Sequence, residues 1–368
     1  MTLLLASFAE VASYIGYVLI AVLVLLLMIT VHEAGHYFAG KILGFKIDEF
    51  SIGFGPKLFS KTKKNGEVFS VRLIPFGGFC SFHGEDKDDS DEQSFNNRKP
   101  WQRIIVLISG ALMNFLTAVV IILVMFLSYG VPCFKVASVY DSPEYLNYSL
   151  QEDDVILSAN GKTAFLTTDL MHAIGGKKQG DIVDFLVLRN GETVNAQVKL
   201  RSDTDFKNVE DLKTLYTSLG TYSVKEDGMY GGMTSYNMRL PFFKTLGRGF
   251  LYSFRLGGTV FTVLGQLLTG KMGIGSIGGT VTTITVTANA IKTGGLWYLL
   301  YISSFIGVNL AVFNLLPIPA LDGSRVLFTL IEWIRRKPIN RKAEAAIHAV
   351  GFVLIVLFAV FVDLQQCF

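Results

Sequence analysis

The chain has 368 residues, of which 51% are hydrophobic and 17% are charged. Soluble globular proteins usually carry about 25% charged residues, so this composition argues against an ordinary water-soluble protein and indicates that lipid is part of the solvent. The net charge of +3 is small for this length and gives no reason to expect a nucleic-acid partner.

The three cysteines, Cys80, Cys133 and Cys367, are far apart and form no CxxC pair. Neither a thiolate zinc site nor a disulfide framework is therefore indicated. We expect three unpaired thiols that are mostly packed.

Four apolar stretches have the length of about 20 residues that a helix needs to cross a bilayer. They are Val11–Val31, Ile104–Leu127, Leu296–Leu316 and Ala345–Val362. No Lys or Arg precedes Lys41, and the first run exceeds the hydrophobic region of a signal peptide. It is therefore interpreted as a retained transmembrane helix.

A fifth apolar segment, Phe242–Leu268, carries three basic residues at spacings of four and seven. They fall near one face of a helix, which favours an amphipathic helix lying in the membrane interface over 242–270. Counting this segment as a span would also place the two most basic loops on opposite sides of the membrane.

The basic residues of the loops predict the orientation. The segments Lys41–Arg103 and Pro317–Lys342 are rich in Lys and Arg, whereas the segment between the second span and Lys244 is mildly acidic. The positive-inside rule places both basic loops in the cytoplasm and the long segment outside. Four spans satisfy this arrangement with both termini outside.

The outer segment has the pattern of a small α+β domain over 134–202. Short strands are predicted at Lys135–Val139, Asp154–Ala159 and Asp184–Arg189, with a helix at Leu166–Ile174. Asn-Gly pairs follow two of these strands, and this dipeptide between β-type runs is a strong turn signal. The polar residues that follow predict a linker or insertion over 203–240.

The residues His32-Glu33-Ala34-Gly35-His36 form an HExxH motif. On a helix the two histidines lie one turn apart and can bind one zinc ion, while Glu33 is placed to take a proton from a zinc-bound water. The motif comes directly after the first apolar run. Ionisable residues are costly at that depth and indicate a function.

A catalytic zinc site needs a third protein ligand and an open position. Asp322 follows the third span on the membrane side predicted for His36, after a segment that two prolines keep from being helical. Non-helical backbone at membrane depth must be covered by protein or line a cavity. Asp322 is therefore the candidate ligand, with an ordinary helix N-cap as the alternative.

Two amides, Asn309 and Asn314, lie five residues apart in the third span. Intramembrane amides often hold helices together. As uncharged donors, they could also hold a substrate strand or stabilise an oxyanion.

Together these features resemble the site-2 protease family of intramembrane zinc proteases, in particular its bacterial RseP/RasP-like group. His32–His36 matches the family's first-helix motif, and Asn314–Gly323 matches its NxxPxPxLDG motif almost letter for letter. Ser109–Asn114 is similar to the small-residue and Asn signature of its second span. The resemblance covers nearly the whole chain.

The resemblance implies a polytopic α-helical protein with about four spans, whose core halves lie at 1–130 and 296–368. It implies one zinc ion on His32, His36 and Asp322, with Glu33 as general base. It also implies an extracytoplasmic PDZ domain and a membrane-associated β-hairpin within 41–100. Substrate contacts are then expected from Asn309, Asn314, Gly77 and Gly78.

The expected reaction is cleavage of a transmembrane protein in the bacterial plasma membrane, after another protease has trimmed the outer part of that protein. An anti-sigma factor or a remnant signal peptide would fit, and no residue chooses between them. A PDZ-bearing scaffold with an inactive zinc site is one alternative, although it would not need Glu33. A metal carrier is another, although it would need polar residues spread along several spans.

Overall fold

The structure is a computed structural model that describes residues 8–85, 91, 93–139, 150–204, 212–221, 232–271, 273 and 278–365. Within them the chain forms two units. The first draws on 1–122, 253–260 and 273–368, and the second on 123–252 and 261–272. Cys80 and Cys133 are free thiols, as predicted, and Cys367 lies outside the described residues.

Eight α-helices and eight strands are assigned within the described ranges. In chain order they are α1 (Phe8–Ile42), β1 (Ile47–Thr62), β2 (Val68–Phe82), α2 (Pro100–Tyr129), β3 (Val131–Val136), β4 (Val155–Ala159), β5 (Lys162–Thr163), α3 (Thr167–Ile174), β6 (Ile182–Arg189), β7 (Glu192–Lys199), α4 (Leu212–Ser218), β8 (Met233–Met238), α5 (Phe242–Leu268), α6 (Thr280–Asn314), α7 (Asp322–Arg335) and α8 (Arg341–Gln365).

The four predicted spans are confirmed as helices. Among the described residues, α1, α2, α6 and α8 are the four that are long and apolar enough to cross a membrane. Helix α6 begins well before the predicted start at Leu296, because its first part is rich in threonine and does not register as an apolar run. The backbone breaks from helical geometry at Gly295, with φ 58° and ψ −141°.

Helix α5 forms over the Phe242–Leu268 segment for which an amphipathic helix was predicted. It is not among the helices of the described residues that meet the length and hydropathy requirements for a span. Exposed aromatic side chains lie along it: Phe242, Phe243, Phe250, Phe254 and Phe261.

In the first unit, β1 and β2 form a sheet in which each strand is bent. Ser51 of β1 pairs with Phe79 on one side and with Ser70 on the other, so the first half of β1 lies between the two halves of β2. The side of this sheet next to α1 and α2 is held by an apolar cluster. Its buried members are Phe45, Ile47, Phe82, Phe95, Val106 and Leu107.

An ion cluster fastens this sheet to the end of α1. Glu67 is 2% exposed and accepts hydrogen bonds from Lys41 of α1 and from Lys63 at 2.7 Å. Burial alone would raise the pKa of Glu67, but these hydrogen bonds outweigh it and hold that pKa at about 2. The carboxylate is therefore charged at neutral pH and ties both lysines to the sheet.

The second unit contains an antiparallel sheet in the order β7-β6-β4-β3-β8, with β5 paired to β4. Strands β3, β4 and β6 and helix α3 lie close to their predicted positions. The β6–β7 turn has positive φ at Asn190 (50°) and Gly191 (87°), as a type I′ hairpin turn requires. One face of the sheet and α3 enclose an apolar core that includes Ile156, Leu170 and Phe185.

The structure differs from the linker predicted over 203–240. Leu215 of helix α4 and Leu219, just after its end, pack into the core. Strand β8 pairs with β3 from Val131↔Met238 to Val136↔Met233. Most of β8 is exposed, so its sequence lacks the apolar alternation that would predict a strand. Residues 205–211 and 222–231 of this segment lie outside the described residues.

Candidate active site

Two histidines of α1 face the same point inside the first unit. His32 and His36 are each 7% exposed, and their Nε2 atoms are 3.1 Å apart. The spacing of four residues places both rings on one face of the helix. The rings meet edge to face with centroids 4.7 Å apart, so the two nitrogens converge instead of stacking.

Asp322, the first residue of α7, completes this cluster from a position 290 residues away in sequence. Its Oδ2 lies 2.9 Å from Nε2 of His32 and 3.2 Å from Nε2 of His36. Its side chain is 21% exposed, against 9% for each histidine. The cluster is therefore closed on the helix side and open beside the carboxylate.

These three donors fit a zinc ion. Zinc–ligand bonds of about 2.0 Å in a tetrahedral site imply ligand atoms about 3.3 Å apart. All three ligand atoms lie within 4.8 Å of one another, and the separations of 2.9–3.2 Å approach the tetrahedral edge. Two neutral imidazoles and a carboxylate are also ligand types that zinc prefers.

The second ring nitrogen of His36 fixes its orientation. Nδ1 donates to the backbone carbonyl oxygen of Val106 in α2 at 2.8 Å. A neutral imidazole that is protonated on Nδ1 presents a lone pair on Nε2, which is the form that binds a metal. Sequence reasoning did not identify Val106, because an acceptor carbonyl carries no side-chain signal.

His32 has a corresponding neighbour on α6. The amide nitrogen Nδ2 of Asn314 lies 3.4 Å from Nδ1 of His32. Turning the amide would present its oxygen to an Nδ1–H donor. Asn309 is half-buried in the same helix, and no hydrogen bond among the described residues joins it to the cluster.

The helices approach closely here because two glycines face each other. A Cβ on Gly110 of α2 would lie 2.4 Å from Nε2 of His36, and one on Gly35 of α1 would lie 2.4 Å from the carbonyl oxygen of Ser109. Neither contact is possible for a larger residue without a shift. The small-residue signature in the second span thus has a physical reason, which is to admit the imidazoles against α2.

Glu33 points toward the second half of β2. A Cβ on Gly78 would lie 3.4 Å from Cγ of Glu33, and the backbone N–H of Cys80 donates to the Glu33 carboxylate. Gly77, by contrast, faces the ring of Phe54, only 1.9 Å from the position of its absent Cβ. Of the two predicted glycines, Gly78 is therefore the one beside the carboxylate.

The loop that leads into Asp322 is held by a residue to which sequence reasoning assigned no role. The backbone N–H of Ala320 donates to Nδ1 of His348 in α8 at 3.0 Å, and Ala320 has φ 80°. A non-glycine residue in this conformation needs support from its surroundings. A lone histidine in an apolar helix gives no sequence signal for such a contact.

Comparison with known proteins agrees with this geometry. A sequence profile of Peptidase family M50 matches residues 20–358. A Clostridium perfringens protein with a provisional zinc-metalloprotease name is 34% identical over 357 residues, covering 95% of this chain and 98% of its own length.

Two Bacillus proteins match over a similar extent. Zinc metalloprotease RasP of Bacillus licheniformis is 28% identical over 423 residues, covering 92% of this chain and 96% of its own length. Regulator of sigma-W protease RasP of Bacillus subtilis is 27% identical over 441 residues, covering 96% and 100%. The chain belongs to Peptidase family M50, the site-2 protease family, and is a zinc metallopeptidase of the RasP type.

Proposed function

We propose that the enzyme hydrolyses peptide bonds within or near transmembrane segments of other membrane proteins. The supporting observation is the location of the three donors. His32 and His36 lie in α1, which is a candidate span. Asp322 lies eight residues after Asn314, where α6, another candidate span, ends. A peptidase built there can meet a peptide bond at membrane depth.

In this proposal His32, His36 and Asp322 hold the metal. Bound zinc would polarise the scissile carbonyl and make a water molecule more acidic. Glu33 takes the proton of the attacking water and transfers it to the leaving amine. The hydrogen bond from Cys80 holds the Glu33 carboxylate in one orientation, while Val106 does the same for His36.

The second half of β2 is the proposed binding strand. A helix hides its peptide bonds, so a substrate helix must unwind before hydrolysis. The segment Gly78–Phe82 pairs with Ile47–Ile52 along one edge and passes Glu33 at Gly78. Pairing with an unwound substrate by β-augmentation would bring the peptide backbone to the metal.

Two amides of α6 complete the proposed substrate site. Asn314 is next to His32, where it can orient the imidazole or donate to the substrate. Asn309 lies five residues earlier on the same helix and is proposed to contact the substrate. Gly77, which faces Phe54, is proposed to allow the bend of the binding strand instead of touching the substrate directly.

The sheet of the second unit is proposed to be a PDZ module outside the plasma membrane. Its apolar core and antiparallel strands suit an independent binding domain. The positive-inside rule, applied to the two basic loops, supports an active site that faces the cytoplasm. The module would then limit access to substrates that another protease has trimmed, such as a membrane-anchored anti-sigma factor or a remnant signal peptide. The name of the Bacillus subtilis relative, a regulator of sigma-W, supports the first class.

The alternative function is that of a PDZ-bearing membrane scaffold that binds zinc without cleaving. The position of Glu33, next to the cluster and held by Cys80, disfavours it because a structural zinc site needs no adjacent base.

A cleavage assay separates these functions. The protein is co-expressed with single-span substrates, and wild type is compared with Glu33→Gln and Asp322→Ala. We expect Glu33→Gln to keep zinc while cleavage falls by about 10²–10⁴-fold. Retained cleavage in a zinc-loaded Glu33→Gln protein would contradict the mechanism. Zinc binding by the wild type without cleavage of any of the substrates would favour the scaffold.

A further inference from the structure

Helix α7 is amphipathic, but its exposed side is the apolar one, whereas a helix on the surface of a soluble protein exposes its polar side. The most deeply buried side chains on the side that faces the protein are polar: Ser324, Thr329 and Glu332 are 3%, 1% and 7% exposed, while the apolar Val326 and Phe328 are only partly buried. The opposite side is apolar and exposed. Its members, which we call the α7 stripe, are Leu327 (43%), Leu330 (37%), Trp333 (50%) and Ile334 (80%).

The inward polar side is fixed by ion pairs. Glu332 accepts from Arg103 of α2 at 2.7 Å and from Arg341 of α8 at 2.8 Å, and it also accepts from the backbone N–H of Ile339 at 2.9 Å. Turning α7 to bury its stripe would leave these buried charges unpaired, which is strongly unfavourable. The stripe must therefore be covered by something other than this face of the protein.

The location of α7 identifies what covers it. The helix connects α6 to α8, two candidate spans, so it lies where both leave the bilayer. Three exposed basic residues, Arg335, Arg336 and Lys337, follow the stripe. An apolar stripe with a tryptophan and a basic end is the pattern of a helix that lies in an anionic membrane interface.

We propose that the α7 stripe docks into the phospholipid interface and that anionic headgroups bind Arg335, Arg336 and Lys337. Because Asp322 is the first residue of α7, the lipid then sets the position of this ligand. This step rests on the proposed function. Docking onto a second copy of the chain is the competing arrangement.

Docking is measured without using proteolysis. Trp101 and Trp297 are replaced by Phe, which leaves Trp333 as the single tryptophan of the full chain. In vesicles of phosphatidylcholine with phosphatidylglycerol, we expect blue-shifted emission and at least twofold quenching by brominated phospholipids. The control carries Lys178→Trp and Trp333→Phe, which moves the reporter to an exposed site of the second unit. Equal quenching at both positions, or shielding of Trp333 in a lipid-free detergent dimer, would overturn the proposal.

The coupling to the metal site is measured by cleavage of a single-span substrate that lacks an outer domain. We expect phosphatidylglycerol to raise the wild-type rate at least threefold over pure phosphatidylcholine. Arg335→Gln/Arg336→Gln/Lys337→Gln should lose this gain while keeping zinc. Lys162→Gln/Lys178→Gln/Lys199→Gln, which removes the same charge from the second unit, should keep it. If phosphatidylglycerol raises the cleavage rate equally in both triple variants, the coupling is overturned. If no protein cleaves but Trp333 is quenched as expected, only the proposed function is contradicted.

Discussion

Two buried clusters of charged side chains, one in each unit, serve different purposes. In the second unit Asp154 is fully buried and accepts two hydrogen bonds from Arg189, at 2.8 and 2.7 Å. In the first unit the ligand atoms of His32, His36 and Asp322 converge, and no Lys or Arg of the described residues forms a hydrogen bond with them. Asp154 is neutralised by Arg189, whereas the histidine–aspartate cluster is the proposed site of a metal ion. A buried carboxylate therefore indicates a metal site when the side chains around it are also electron-pair donors and none of them is a cation that would neutralise it.

The largest expected effect comes from Asp322→Ala. Removing one of the three proposed ligands leaves two imidazoles, which would hold zinc far more weakly. We expect purified protein to contain less than about a tenth of the wild-type zinc, and cleavage to fall below detection. Zinc is measured by mass spectrometry.

A matched change removes a carboxylate from the same unit. Asp363 of α8 accepts from the backbone N–H groups of Val281 and Thr282 at 3.3 and 3.4 Å. Asp363→Ala should weaken this helix contact and leave the zinc content unchanged. Equal zinc loss in both variants would mean that Asp322 acts through folding.

The second prediction concerns Asp154→Ala. It leaves Arg189 without its bidentate partner and frees the backbone N–H of Gln151. We expect the second unit to lose about 3–5 kcal/mol of unfolding free energy, while zinc stays bound. Hydrogen exchange of the backbone amides in the sheet of the second unit measures this loss of unfolding free energy. Asp184→Ala, at an exposed position of the same sheet, is the control and should cost less than about 1 kcal/mol. Loss of zinc in Asp154→Ala would contradict the contrast between the units.

The third prediction is Gly110→Ala. The added methyl group would lie 2.4 Å from Nε2 of His36, so α1 and α2 must separate. We expect zinc affinity to fall about 10–100-fold, as for changes that disturb the ligand orientation. Competition with a zinc chelator measures it. Gly16→Ala is a glycine-to-alanine control in α1 with no atom within 4 Å of the new Cβ, and it should leave the affinity unchanged.

The smallest expected effect is the pH response of Glu67. Its pKa in the folded protein is about 2, below the ordinary value of 4.5. The ionised carboxylate therefore stabilises the fold fully above pH 4.5, and this contribution disappears as the pH falls toward about 2. It amounts to at most about 3 kcal/mol. The thermal unfolding of both proteins is measured in detergent between pH 2 and pH 7. The stability of the wild type should fall more steeply at low pH than that of Glu67→Gln. The same pH dependence in both proteins would contradict the prediction.

Local sequence signals predicted the parts of the fold that local physics determines. The four spans, α5 and the Asn190-Gly191 turn each depend on a run or pair of neighbouring residues. Strand β8 and helix α4 were missed because their stability comes from pairing and packing with distant residues. The roles of Val106 and His348 depend on which backbone groups tertiary packing brings to them, and no residue type announces that.

The separation of the proposed metal ligands along the chain has a consequence for biosynthesis. His32 is synthesised 290 residues before Asp322, and His36 follows it by one helical turn. The three-residue cluster therefore cannot form until α6 is inserted and the start of α7 has been synthesised. A nascent chain that holds only α1 and α2 has two histidines and the Glu33 carboxylate, but lacks the third donor. The order of the ligands along the chain thus delays proteolytic competence until the membrane core is nearly assembled.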